Sequence, residues 1–140
     1  MARAVTITGD QFDDIVPGLK KALDEALAGT LGLQQGELVK ACPKDTGRMA
    51  SSFFVSADRP EYGSRPESWG EPNEQRVEIS EYPPEAISFG GRWYISNNVP
   101  YAQYVALNYK PSAKAQKDWY TSVSNQTGVV FAKQFKKVAP

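Results

Sequence analysis

Ala41-Cys42-Pro43-Lys44-Asp45-Thr46-Gly47-Arg48-Met49-Ala50-Ser51-Ser52 is the stretch that divides this chain into a helical part and a strand-and-loop part. Pro43 ends the preceding helix, because the residue before a proline is pushed out of the α region. Asp45 and Thr46 have short polar side chains that bond to backbone amides in a turn, and Gly47 tolerates the backbone angles of a reversal. Arg48 can reach back to a carboxylate or a helix-end carbonyl, Asp45 itself among them. Pro43, Asp45, Thr46, Gly47 and Arg48 therefore read as a structural turn in which no residue needs to react.

Upstream of the turn, Phe12, Ile15, Val16, Leu19, Leu23, Ala26 and Leu27 recur at three- and four-residue steps, one face of an amphipathic helix. Asp10 is placed to cap its first turn. Pro17 predicts a kink, or a second helix that starts there. Gly29, Gly32 and Gly36 weaken the middle by roughly 1 kcal/mol each relative to alanine, and residues 37–41 look helical again.

Downstream, residues 51–56 read as a strand. Residues 58–75 hold three prolines and two glycines among charged residues, a composition that predicts a loop. A loop of this length in a small domain is usually functional, and Tyr62 and Trp69 within it are expected to be exposed and to touch another chain. Deleting residues 60–72 is expected to leave the monomer folded. Residues 76–81 alternate polar and apolar, as in a half-buried strand. Residues 86–89 and 92–97 flank Gly90-Gly91, which suits a hairpin turn, with Trp93 and Ile95 on one face. Residues 100–107 fit a short helix. Residues 112–138 fit a long C-terminal helix, with a break near 125–128. The fold class predicted is α+β: one domain over residues 1–140, an antiparallel β-sheet packed by an N-terminal and a C-terminal helix.

The residue inventory narrows the chemistry. The chain has no histidine and one cysteine, Cys42. A Ser-His-Asp or Cys-His arrangement needs an imidazole, and a zinc site needs several thiolates or imidazoles. Cys42 follows an apolar stretch with no cationic cluster and reads as a small buried hydrophobe. No metal, cofactor or catalytic residue is expected. No apolar run approaches the ~18 residues of a membrane span, and the first residues lack the apolar core of a secretory signal; a soluble, cytoplasmically made chain is expected. The 16 basic and 16 acidic residues cancel, unlike the net basic balance of a protein that grips DNA phosphates. They are unevenly spread. Between residues 61 and 85 lie seven glutamates, at 61, 67, 71, 74, 78, 81 and 85, against Arg65 and Arg76; from Lys110 onward six lysines face Asp118 alone. Either both runs are solvated faces, or one copy's acidic edge meets the next copy's basic edge. Lys133, Lys136 and Lys137 favour the C-terminal end of a helix dipole; the other use for them is contact with DNA in a ring lumen.

Asp45-Thr46-Gly47 is also the tripeptide of aspartic proteases, in which two carboxylates share a proton. With one copy per chain that reading requires a homodimer, and it stands as the enzymatic alternative. A host-encoded nucleic-acid-binding module is a further rival.

Two segments together resemble a known family. The stretch quoted first is similar to the Ala-x-Pro-Val-Asp-Thr-Gly-x-Leu-x-x-Ser segment of the minor tail, or neck, proteins of long-tailed bacteriophages. Tyr94-Ile95-Ser96-Asn97-Asn98-Val99-Pro100-Tyr101-Ala102-Gln103-Tyr104-Val105 resembles that family's strand, Asn, then Pro-Tyr-Ala segment. The resemblance implies a structural virion protein, not an enzyme. It implies a homo-oligomeric ring, sixfold in expectation, at the head–tail junction or the top of the tail tube. It further implies contacts with head-closure, connector, tail-terminator or tail-tube proteins, with DNA passing only as cargo and no membrane partner. Contact residues are then expected at Tyr62, Trp69, Gly90, Gly91, Pro100, Tyr101, Tyr104 and Tyr109, and the Pro-Tyr-Ala aromatic is expected to pack under the sheet.

Overall fold

The computed structural model describes residues 9–44, 46–71, 74–108 and 118–140, with side chains from residue 16 onward except that of residue 108. Its frame is helix α1, Gly9–Ala41, which runs unbroken through Pro17. The alternative of a second helix starting at Pro17 is thus replaced by one continuous helix, and Asp10 lies inside its first turn rather than before it. The buried positions along α1 are Ala22, Ala26, Thr30, Leu31, Gln34, Gln35, Leu38 and Val39, while Val16 and Leu19 are exposed. Among the described side chains the covered stripe therefore starts at Ala22 rather than at Val16 or Leu19, and it starts with small residues. These let α4, Thr127–Val138, lie along α1. The two helices run antiparallel: Gln34 Nε2 donates to Thr127 Oγ1 at 2.8 Å, and Gln134 lies against Gly29. Gly32 and Gly36 have open space where a Cβ would go. Changing either to alanine is expected to stabilise the protein by about 0.5–1 kcal/mol, read as a raised urea midpoint, through helix propensity alone.

The sheet is a two-stranded antiparallel ribbon of β1, Phe54–Ala57, and β2, Trp93–Ser96, with Val55 opposite Ile95. Helices pack on it, so the fold is α+β. Three strand expectations change. Residues Ala50–Ser52 form a 3₁₀ turn, so the strand begins only at Phe54. Residues 76–81 belong to no strand; their backbone bonds go to the turn and to side chains, as with Arg76 N–H to Thr46 O and Glu78 N–H to Ser51 Oγ. Gly90 and Gly91 do take positive φ, +115° and +68°. They do not join a hairpin, because β2 pairs with β1 across 35 intervening residues. Trp93 and Ile95 share a face as predicted and pack with Leu31, Val55 and Ile87. Ile95 also reaches the larger core, in which Leu38, Val39, Cys42, Met49, Phe53, Val99 and Trp119 meet. Phe53 and Trp119 contact edge to face there at 6.3 Å, a favoured aromatic geometry.

After β2 come α2, Ala102–Asn108, and α3, Trp119–Ser124. The break expected near 125–128 falls at Asn125–Gln126, between α3 and α4. Phe89 is held to α1 by Asp24, whose Oδ1 accepts its amide at 2.6 Å. That bond, and next the bond from Lys20, hold the Asp24 carboxyl below its ordinary value. A depressed carboxylate stabilises the fold above its unfolded pKa and stops doing so as pH falls through the folded value. Protection of the Phe89 amide from hydrogen exchange is therefore expected to persist at neutral pH and to be lost only in acid below pH ~4.

Candidate functional site

The two segments singled out from sequence pack against each other. Asn97 Nδ2 donates to Met49 O at 2.7 Å, and the Arg48 guanidinium stands over the Tyr101 ring, 6.0 Å from its centroid. Between them opens a groove of about 460 Å³, lined by Pro43, Thr46 and Gly47 on one side and by Tyr101 and Val105 on the other, with Glu67 and Glu71 of the long loop at its rim. Met49 is buried beside it. The groove is thus assembled from three distant parts of the chain.

The turn is built as a hub for the loop. Thr46 Oγ1 accepts the Arg48 amide at 3.2 Å. Arg48 Nε donates to Arg65 O at 2.8 Å, so the arginine reaches a loop carbonyl rather than the carboxylate or helix end expected. Ser51 and Ser52 are 1% and 0% exposed, and their hydroxyls account for the burial. Ser52 Oγ accepts Arg65 N–H and donates to Arg48 O; Ser51 Oγ accepts Glu78 N–H and donates to Arg76 O. Gln35 Nε2 donates to both Phe53 O and Ser80 O. A buried polar group is tolerable only when bonded, and among the described residues no buried side-chain donor or acceptor lacks a partner. Replacing Gln35 by leucine strands two carbonyls and is expected to cost about 2 kcal/mol by chemical denaturation.

The expected contact residues fall in separate places. Tyr62 is exposed, as predicted, at 74%. Trp69 is not: it is 7% exposed, its Nε1 donates to Arg76 O at 2.8 Å, and the guanidinium carbons of Arg76 and Arg65 lie 3.9 and 4.6 Å from its ring centroid. A side chain so enclosed by its own loop is an internal anchor, with no face left for another chain. Deleting 60–72 would remove Arg65 and Trp69 together, so that deletion is now expected to destabilise the monomer. Tyr101 and Tyr104 are 41% and 62% exposed, and Leu107 on the same helix 58%. The aromatics therefore face outward, and it is Val99 and Ala102 that pack inward. Pro100 lies in the turn that leads into α2. Gly91 sits beside Asp58 at the far end of the sheet ribbon, away from the groove, and Gly90 next to it has open space where a Cβ would go. Lys133, Lys136 and Lys137 are exposed on α4, the last two in its final turn. Asp45 and Tyr109 lie outside the described residues.

Cys42 is fully buried in the core. Burial pushes its thiol up to about 12, against a smaller downward pull from Lys44. The thiolate is the reactive form. Native protein at pH 8 is therefore expected to resist a thiol reagent for hours, with one equivalent titrating at once in denaturant. A thiol that reacts in the native protein would contradict this burial.

Sequence reasoning missed Glu67 and Glu71 as groove residues, and Arg65, Ser51 and Ser52 as the hub. The only signal for the hub was the Ser-Ser pair inside a segment that reads as a strand. Comparison with models of known families, with characterised proteins and with solved structures finds no match.

Proposed function

We propose that this chain is a structural virion protein of a long-tailed bacteriophage. In this reading it forms a ring at the head–tail junction or at the top of the tail tube, joins head to tail, and leaves an axial channel for DNA. The observation that carries the reading is the meeting of its two motif segments. Asp-Thr-Gly-Arg and Pro-Tyr-Ala lie about fifty residues apart in sequence, yet Asn97 and Tyr101 pack directly on Met49 and Arg48. Their polar groups bond to backbone of the turn and loop, which is the work of a scaffold.

The surface supports a partner-binding role. Tyr101, just before α2, and Tyr104 and Leu107 on it follow one another at three-residue steps and are all exposed, and a row of large exposed apolar side chains marks an interaction surface. Tyr62 stands out from the loop nearby in sequence to Glu61, which is stitched to β2 by paired bonds with Ser96. A rigid loop that carries an exposed aromatic contributes contact area with little ordering cost.

The test is the size and symmetry of the purified protein, by native mass spectrometry and electron microscopy. Closed rings with a central channel, six subunits in expectation, support the reading. A monomer that persists at about 100 μM, or an irregular aggregate, counts against it.

A further inference from the structure

Opposite charges occupy separated places on this molecule. Glu67 and Glu71, both exposed, stand at the rim of the groove beyond the C-terminal end of α1. Lys133, Lys136 and Lys137 stand on α4, which runs the other way. Gln134 meets α1 at Gly29 and Pro140 meets it at Gly18, so the lysines lie level with the first two thirds of α1. Even Gly29 is twelve residues short of Ala41, about 18 Å along the helix axis. That is roughly twice the ~8 Å screening length in physiological salt, so the two patches do not neutralise each other within one chain.

Neither patch is closed by a salt bridge among the described residues. Among the described residues the ion pairs are Lys20–Asp24, Lys21–Glu25 and Arg76–Glu78, and none involves either patch. Two cations do line the groove. Lys44 Nζ donates to the carbonyls of Lys40 and Cys42, and Arg48 Nε to that of Arg65. Both keep their charge but are half-buried and held against backbone, whereas Glu67 and Glu71 are exposed and are the charges of this lining that stand furthest into solvent.

We propose that the Glu67–Glu71 rim of this groove receives the Lys133–Lys137 face of α4 from a second copy of the chain. The inference rests on the ring reading and names the contact that builds the ring. The apolar floor at Met49, Tyr101 and Val105 suits the methylene stems of lysines whose ammonium groups reach the rim. Because the two surfaces differ, each contact leaves one groove and one lysine face open, so copies add head to tail until the ring closes.

Two full-length variants test this. One carries Lys133→Glu, Lys136→Glu and Lys137→Glu; the other carries Glu67→Lys and Glu71→Lys. Sedimentation velocity on each alone is expected to show monomer at concentrations where the unaltered protein assembles, and an equimolar mixture is expected to recover assembly. Raising NaCl from 0.05 to 0.5 M is expected to weaken assembly of the unaltered protein by about tenfold or more. All substituted residues are exposed, and recovery on mixing also excludes misfolding; the corresponding Lys→Gln and Glu→Gln variants are expected to show partial loss. Assembly that survives each reversal, or a mixture that stays monomeric, overturns the contact, and in the first case the ring reading stands. Recovery as open filaments keeps the contact and removes the ring. Lysine reversal that abolishes retention of duplex DNA while assembly is unchanged assigns that face to DNA and overturns the proposal.

Discussion

Gly47→Ala is expected to lower the unfolding free energy by about 3–5 kcal/mol, a fall in Tm of roughly 10–15 °C for a domain of this size. Two effects add. Gly47 has φ +89°, where a side chain meets its own backbone. A Cβ there would also collide with the carbonyl oxygen of Arg76. That oxygen cannot easily move, because it already accepts Ser51 Oγ at 3.1 Å and Trp69 Nε1 at 2.8 Å, and shifting it breaks both bonds. Gly70 is the mirror of this arrangement: its φ is +75°, and a Cβ on it would strike Thr46 O. A Gly47→Ala protein with unchanged stability by urea titration would mean that the turn and the 74–78 segment are not locked together.

Trp69→Ala is expected to cost about 3–4 kcal/mol, in the range for a buried aromatic cut back to a methyl. Its distinguishing effect is local. The ring holds two guanidinium groups and caps a carbonyl, so its loss is expected to free residues 58–75 and expose them to limited proteolysis before the core opens. Trp69→Phe keeps a ring for the two arginines and loses only the donor, at about 1 kcal/mol. Because Gly47 and Trp69 act on the same Arg76 carbonyl, the double variant is expected to lose less than the sum of the two. Additive losses would show that the two residues act independently.

Patterns that depend on one stretch of chain were legible in the sequence. The helical character of α1, the stop at Pro43, the long loop, the short α2 and the break before α4 all follow from local spacing and from proline and glycine, whereas among the described side chains the buried stripe of α1 starts at Ala22 rather than at Val16 or Leu19. Pairing was not legible. Alternation at 76–81 looks like a strand, yet its amides find side-chain hydroxyls and a turn carbonyl first. Gly90-Gly91 looks like a hairpin turn, but the partner that β2 takes is β1, which offers Val55 opposite Ile95 and a continuous apolar face. Trp69 reads as exposed because its neighbours in sequence are polar; the arginines that cover it come from four residues before and seven residues after, bent over it by the loop. Tyr101 reads as buried because it follows a strand, while the side chains that face the core are its neighbours Val99 and Ala102. The groove itself depends on the loop returning to the turn, which no spacing in the sequence records.

The antiparallel contact of α4 with α1 sets an order of events during synthesis. Gly29 leaves the ribosome 105 residues before Gln134, the residue that lies against it. At about 5–20 residues per second, that is an interval of roughly 5–20 s. Through it, the small-residue stripe of α1 has no cover from its own chain, so the nascent protein passes through a sticky stage that the finished one does not have. Chaperone demand should therefore track the time taken to translate the codons for residues 101–140, and slowing them is expected to lower soluble yield without altering the stability of the protein that escapes.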